Sequence, residues 1–284
     1  MFVLPFIFLV STYLIVFYNY FRPHPPSRLV QRSALLTLNA SVLAALAQSL
    51  IPLSGAFIAF VMITLAFLSN NSARPVSILA KIALGTLALA VSLKLFGWQR
   101  VVLNPSLDLG NPPFEWVLNF DKPFAGAVLA IALLMLTPPV PTRSLSVKYA
   151  GWIALGIVTL VCTTFLLGGT FAPKWTLAVT LFLITNLIFA VVPEELFFRS
   201  LLQAKFPKRS KVKDAFTVLT LTGLFTLAHF SPKIDPTYLV LVALAGGIYA
   251  FVFQVTRSIL WAIAIHLFVN LLSVALFNYP LRLG

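Results

Sequence analysis

Acidic residues are scarce in this chain. Seven Asp and Glu stand against twenty Lys and Arg, and charged residues make up only 10% of the 284 positions. An average soluble domain carries about 25% charge, so an ordinary water-exposed surface is excluded for most of the chain. Cysteine is scarcer still: the one thiol, Cys162, lies in an apolar run. An intrachain disulfide is excluded, and redox chemistry is disfavoured. The N-terminus lacks the basic stretch of a signal peptide, and its long aromatic run reads as a retained span. No segment is long and polar enough to form a separate soluble domain.

What the chain has is apolar length. Hydrophobic residues make up 60% of it, and the mean hydropathy is +0.99. Runs near 20 residues recur, the length needed to cross ~30 Å of hydrocarbon. The expected fold is an all-α, polytopic transmembrane helical bundle of about nine or ten spans. Ten candidates fall at 2–20, 33–51, 54–70, 76–97, 123–140, 149–168, 175–203, 215–230, 237–256 and 258–278. Pro52 and Gly55 divide the second from the third, since both residues favour a turn.

Charge placement orients the bundle. Twelve basic residues fall in loops on one side and five on the other, while Lys81, Lys94 and Arg199 lie within spans. By the positive-inside rule, both termini face outward and the loop 205–213 faces the cytoplasm. The net charge of +13 is spread over short loops, which suits anionic lipid and not a nucleic-acid groove. Trp98, Trp152, Trp175 and Trp261 fall near span ends, as interfacial anchors do. His24, in the Pro-rich connector RPHPPSR, reads as a solvated loop histidine.

Ionisable groups inside a span are costly and mark function by default. Lys81 and Lys94 lie near span ends and can snorkel. Glu194, Glu195, Arg199 and His229 need another account, together with His266 and Asn270. Glu195 and Arg199 are spaced i, i+4, so they can pair on one helical face. Glu194 is turned about 100° away. His266 and Asn270 repeat the i, i+4 spacing, and Phe225 stands four residues before His229. Counted at ~1.5 Å per residue from the expected cytoplasmic ends, Glu194, His229, His266 and Asn270 lie about 13–22 Å deep. One shared depth on three helices points to a buried pocket that admits water.

Such a pocket suits water activation. A carboxylate in an apolar site is a stronger base, and a histidine beside it can orient the water. A second histidine and an amide can donate to a developing oxyanion. Pro193 removes a backbone donor just before the acids and is expected to kink the helix. Glu194, His229 and His266 could instead ligate zinc, although no pair of histidines has the i, i+4 spacing of a helix-borne zinc site. Interhelical polar bonds that merely hold the bundle together are a third account.

In order, Glu194-Glu195-x-x-x-Arg199, Phe225-x-x-x-His229 and His266-x-x-x-Asn270 resemble the three motifs of the CPBP intramembrane proteases. These comprise the type II CAAX prenyl endopeptidases and bacteriocin-processing and immunity relatives, also called the Abi family. The resemblance spans roughly residues 175–278, including the small-residue stretch from Ala245. It implies a protease core at 149–284 behind an N-terminal transmembrane region of unassigned role at 1–148. It also implies that Glu194 and His229 activate water, that His266 and Asn270 form the oxyanion hole, and that Glu195, Arg199 and Phe225 support them. Ser200 stands where the family commonly has glycine.

The expected protein is thus an intramembrane endopeptidase of a bacterial cytoplasmic membrane, metal-free in the favoured version and zinc-dependent in the other. Its partners would be membrane lipid and a membrane-associated protein or peptide: a CAAX-type tail, a leader or a propeptide. Its site would open toward the cytoplasmic half of the bilayer. Two rival readings differ in class. One is a non-catalytic immunity or binding protein on the same fold. The other is a proton-coupled transporter, for which the N-terminal half would need a counterpart of the motif.

Overall fold

The computed structural model describes residues 3–281 apart from 23–25, 72, 104–106, 111–113, 137–141, 207–209, 232–234 and 280. His24, and Lys208 and Arg209 of the basic loop, lie outside the described residues. In chain order the helices are α1 (Leu4–Tyr20), α2 (Arg28–Ala47), α3 (Leu53–Asn71) and α4 (Arg74–Ser92). Two short strands follow, β1 (Arg100–Val102) and β2 (Val117–Asn119), then α5 (Asp121–Ala130) and α6 (Val147–Leu166). The rest are α7 (Leu177–Asn186), α8 (Val192–Glu195), α9 (Lys211–Ala228), α10 (Pro236–Thr256) and α11 (Ile259–Leu276).

Polar caps and prolines mark where these helices begin. Ser27, Ser210 and Ser258 accept hydrogen bonds from Val30, Lys213 and Trp261 N–H at the starts of α2, α9 and α11. Asp235 does the same for Thr237 ahead of α10, at 2.8 Å. Each bond satisfies a donor that the first helical turn leaves unpaired. Between α2 and α3, Ser49 turns into the left-handed region at φ 57°. The chain therefore divides just ahead of Pro52, where the sequence placed the break.

A helix lies within each of the ten expected spans, and the chain is an integral, multi-pass membrane protein. Among the described residues, seven helices are long and apolar enough to cross a bilayer: α2, α3, α4, α6, α10, α11 and the run Leu177–Lys205. The other three fall short for visible reasons. α1 has 17 residues. α5 yields after ten residues to the π-helical turn Ile131–Met135, and α9 carries Lys211, Lys213 and Asp214 in its first turn. The β1–β2 pair is a local addition to the all-α architecture. It is antiparallel, with Arg100 opposite Asn119.

The chain forms two compact units. The first comprises Met1–Val102, Val117–Val140 and Ile188–Phe197. At its core, α5 is buried at Asp121 and continuously from Pro123 to Ala130. Trp98 is buried at 8% exposure and packs on the rings of Phe120 and Phe124 at 5.8 and 5.7 Å. The interfacial role expected for Trp98 is thereby corrected: its indole fills an aromatic core, which removes more apolar area from water than a headgroup contact does. The second unit comprises Leu103–Trp116, Pro141–Leu187 and Phe198–Gly284. In it α10 packs against α6, α9 and α11, and Leu107, Leu109, Val179, Phe182 and Val274 form a further apolar core.

Candidate active site

The run around Pro193 is not one regular helix. α7 gives way to a π-helical turn over Leu187–Val191, then to α8, then to π-helical turns over Leu196–Leu202 and a 3₁₀ turn over Gln203–Lys205. Pro193 offers no N–H and its ring crowds the carbonyl four residues back, and a π turn relieves that conflict by widening the ring to i→i+5. The expected kink is therefore a pair of π-helical stretches flanking Pro193. The 100° step between Glu194 and Glu195 holds within α8, and Arg199 follows in the π-helical run, where each turn is wider.

Glu194 and Glu195 belong to the first unit and are buried, at 8% and 0% exposure. An ion pair joins the Lys122 ammonium to Glu194 Oε1. Lys122 sits on the first turn of α5, and α5 packs against α8. The approach is close: a Cβ added at Gly126 would lie 2.8 Å from the Pro193 ring. Only glycine leaves room there for the turn that carries the two acids.

The remaining candidates belong to the second unit. Phe225 is buried on α9, and four rings surround it. Phe198 lies 5.1 Å away, His229 4.4 Å, Tyr249 6.0 Å and His266 6.1 Å. Gly246 makes this packing possible, because a Cβ there would meet the Phe225 ring at 2.8 Å. His229 closes the C-terminal end of α9, and its Nδ1 lies 2.8 Å from the Phe225 carbonyl. A carbonyl only accepts, so Nδ1 carries the proton and the lone pair of the neutral ring resides on Nε2. His266 is buried and stacks on Tyr249 with centroids 4.1 Å apart and planes 17° apart. One turn further along α11, the Asn270 amide donates to Asn186 Oδ1 at 2.7 Å.

Arg199 is fully buried and anchors a polar chain. Its guanidinium donates to Gln203 Oε1 and to the Gly246 carbonyl, both at 3.3 Å. Gln203 donates in turn to the Ala250 carbonyl at 2.8 Å and to Gln254 Oε1 at 3.2 Å. Gln254 donates to Asp214 Oδ1 at 2.9 Å. Every amide points its donor the same way, from the cation toward the carboxylate, so each bond polarises the next.

Lys122, Asn186, Tyr249, Gln203, Gln254 and Asp214 were not singled out by sequence. Gln203 is four residues from Arg199, and Asn186 is a lone amide in an apolar run, so both carried a readable signal. Lys122 carried none that pointed to Glu194. Among the described residues, no group of three or more His, Cys, Asp and Glu side chains could hold a metal ion.

An Asn186→Leu variant tests the amide pair. Without its acceptor, Asn270 can rotate, and kcat for the peptide hydrolysis that the motif resemblance implies should fall roughly tenfold, as a displaced donor predicts. Steady-state kinetics check this; an unchanged kcat would show that Asn186 does not orient Asn270.

Residues 174–272 match the family model described as Type II CAAX prenyl endopeptidase Rce1-like. No curated protein matches the chain, and no solved structure does.

Proposed function

We propose, for a chain that belongs to the CPBP intramembrane proteases through its type II CAAX prenyl endopeptidase Rce1-like domain, that Glu194 and His229 activate water for peptide-bond hydrolysis. The observation that carries this reading is the family match over 174–272, which contains Glu194, His229, His266 and Asn270 together. The substrate is a membrane-associated protein or peptide cut near its C-terminus or at a leader. The site opens toward the cytoplasmic half of the bilayer, and the basic loop 205–213 lies against anionic lipid.

The steps follow from the chemistry of the side chains. The Glu194 carboxylate accepts a proton from water, and the resulting hydroxide attacks the scissile carbonyl carbon. His229 orients that water through Nε2, in the tautomer favoured by its bond to the Phe225 carbonyl. His266 and Asn270 donate to the oxyanion. The Asn270 nitrogen has two N–H groups, and the bond to Asn186 uses one while fixing the direction of the other. Collapse of the tetrahedral intermediate breaks the C–N bond, and the leaving nitrogen takes from Glu194 the proton that came from water. Glu195 and Arg199 support the geometry, Arg199 through its bonds to Gln203 and the Gly246 carbonyl.

The test uses the full chain in liposomes of mixed anionic and zwitterionic lipid with two fluorogenic probes. One is a peptide ending in a prenylated CAAX sequence, and the other is an unprenylated leader peptide carrying an acyl anchor. Cleavage of either by wild type, reduced about a hundredfold by His229→Ala, is the expected result. The probe that is cut assigns the substrate class. Equal cleavage by wild type and His229→Ala would overturn the role given to His229.

A further inference from the structure

Sequence reading gave the N-terminal region no part in the chemistry, yet it supplies the partner of the proposed base. Lys122 Nζ pairs with Glu194 Oε1 across 72 positions of sequence. We infer that Lys122 is a positioning residue that holds Glu194 ionised and in one orientation, an inference that rests on Glu194 acting as the base.

Three observations carry it. The pair is only partly wet: the Lys122 side chain is 30% exposed and that of Glu194 9%. A carboxylate that far from water loses hydration, and a paired cation is what offsets the loss. The lysine backbone is also pinned. Lys122 N–H donates to Asp121 Oδ1 at 2.6 Å, and the next carbonyl, that of Pro123, accepts from Tyr13 O–H at 2.7 Å. Finally, the turn after Lys122 abuts the residue before Glu194, since a Cβ at Gly126 would meet Pro193. Two contacts, one ionic and one steric, thus join the start of α5 to the acid-bearing turn.

The chemistry suits a base. A carboxylate offers about four acceptor sites, so an ammonium on Oε1 fixes the group without using up its capacity to accept from water. A protonated carboxyl could not begin the reaction at all. Removing the ammonium takes a paired cation from a nearly buried carboxylate, and taking up a proton relieves that loss. Lys122 acts through Glu194, so its effect should fall on kcat and spare KM.

Carbodiimide labelling reads the pair without requiring any substrate. The O–H of a protonated carboxyl adds across a C=N bond of dicyclohexylcarbodiimide, and the acyl group then migrates to nitrogen as a stable N-acylurea. No atom is lost, and an ionised carboxylate does not add. Wild type, Lys122→Arg, Lys122→Met and Lys122→Gln proteins in liposomes are labelled and mapped by peptide mass. Labelling at Glu194 should rise roughly tenfold in Lys122→Met and Lys122→Gln and stay at the wild-type level in Lys122→Arg. That factor corresponds to about 1.36 kcal/mol of lost ion pairing.

The paired kinetic measurement expects kcat to fall about tenfold to a hundredfold in Lys122→Met, as a misplaced base costs, with KM unchanged and activity restored by arginine. Equal Glu194 labelling in wild type and in whichever of Lys122→Met and Lys122→Gln folds would overturn the role of Lys122. Full cleavage by Glu194→Gln would instead overturn the base assignment, and the labelling contrast would survive it.

Discussion

Glu194→Gln protein should lose about a hundredfold to ten-thousandfold in kcat, the range a positioned base contributes. Glutamine keeps the shape and the acceptor oxygen but cannot take a proton from water. Glu194 is buried at 8% exposure and sits on a four-residue α segment, Val192–Glu195, between π-helical turns. An amide of equal size disturbs that packing little. The variant should therefore elute as wild type does on size exclusion while failing to cleave. Retention of activity within a few-fold would remove Glu194 from the mechanism.

Arg199→Leu should reduce stability by roughly 3 kcal/mol, because each hydrogen bond from a charged donor is worth about 1.5–3 kcal/mol. Arg199 is wholly buried, and leucine offers nothing to Gln203 Oε1 or to the Gly246 carbonyl, which keeps only its bond within α10. The damage should travel. Gln203 loses the donor that fixes its amide, so its bonds to Ala250 and Gln254 become free to rearrange, and Gln254 is what reaches Asp214. Lysine should recover only part of the loss, since one ammonium cannot reproduce a planar fork aimed at two acceptors. Thermal unfolding in detergent, followed by tryptophan fluorescence, measures the effect. A change within about 0.5 kcal/mol, the range of an ordinary surface substitution, would show that the polar chain contributes little.

What could be read in the sequence follows from how far each interaction reaches along the chain. Helical runs were legible because apolar length is local, and the break near Pro52 was legible because Pro and Gly act on their own backbone. The motif residues were legible as costly groups inside apolar runs. Pro193 was seen as a disturbance, but the form it takes, π-helical turns on either side, depends on packing that no window contains. Trp98 was misread because a Trp at a span end looks alike whether it meets headgroups or, as here, Phe120 and Phe124. Lys122 was hidden most deeply. It reads as an ordinary loop cation beside Asp121, and nothing short of the fold of α5 onto α8 reveals that its partner is Glu194.

The central claim is that this chain hydrolyses peptide bonds in membrane-associated proteins through Glu194. The most direct test maps N- and C-terminal peptides of the membrane proteome in a deletion strain complemented by wild type or by Glu194→Gln at equal expression. The account predicts a set of new termini, all in membrane-associated substrates, that arise with wild type and vanish with Glu194→Gln. Identical termini in the two strains would contradict it and favour a non-catalytic binding role on the same fold.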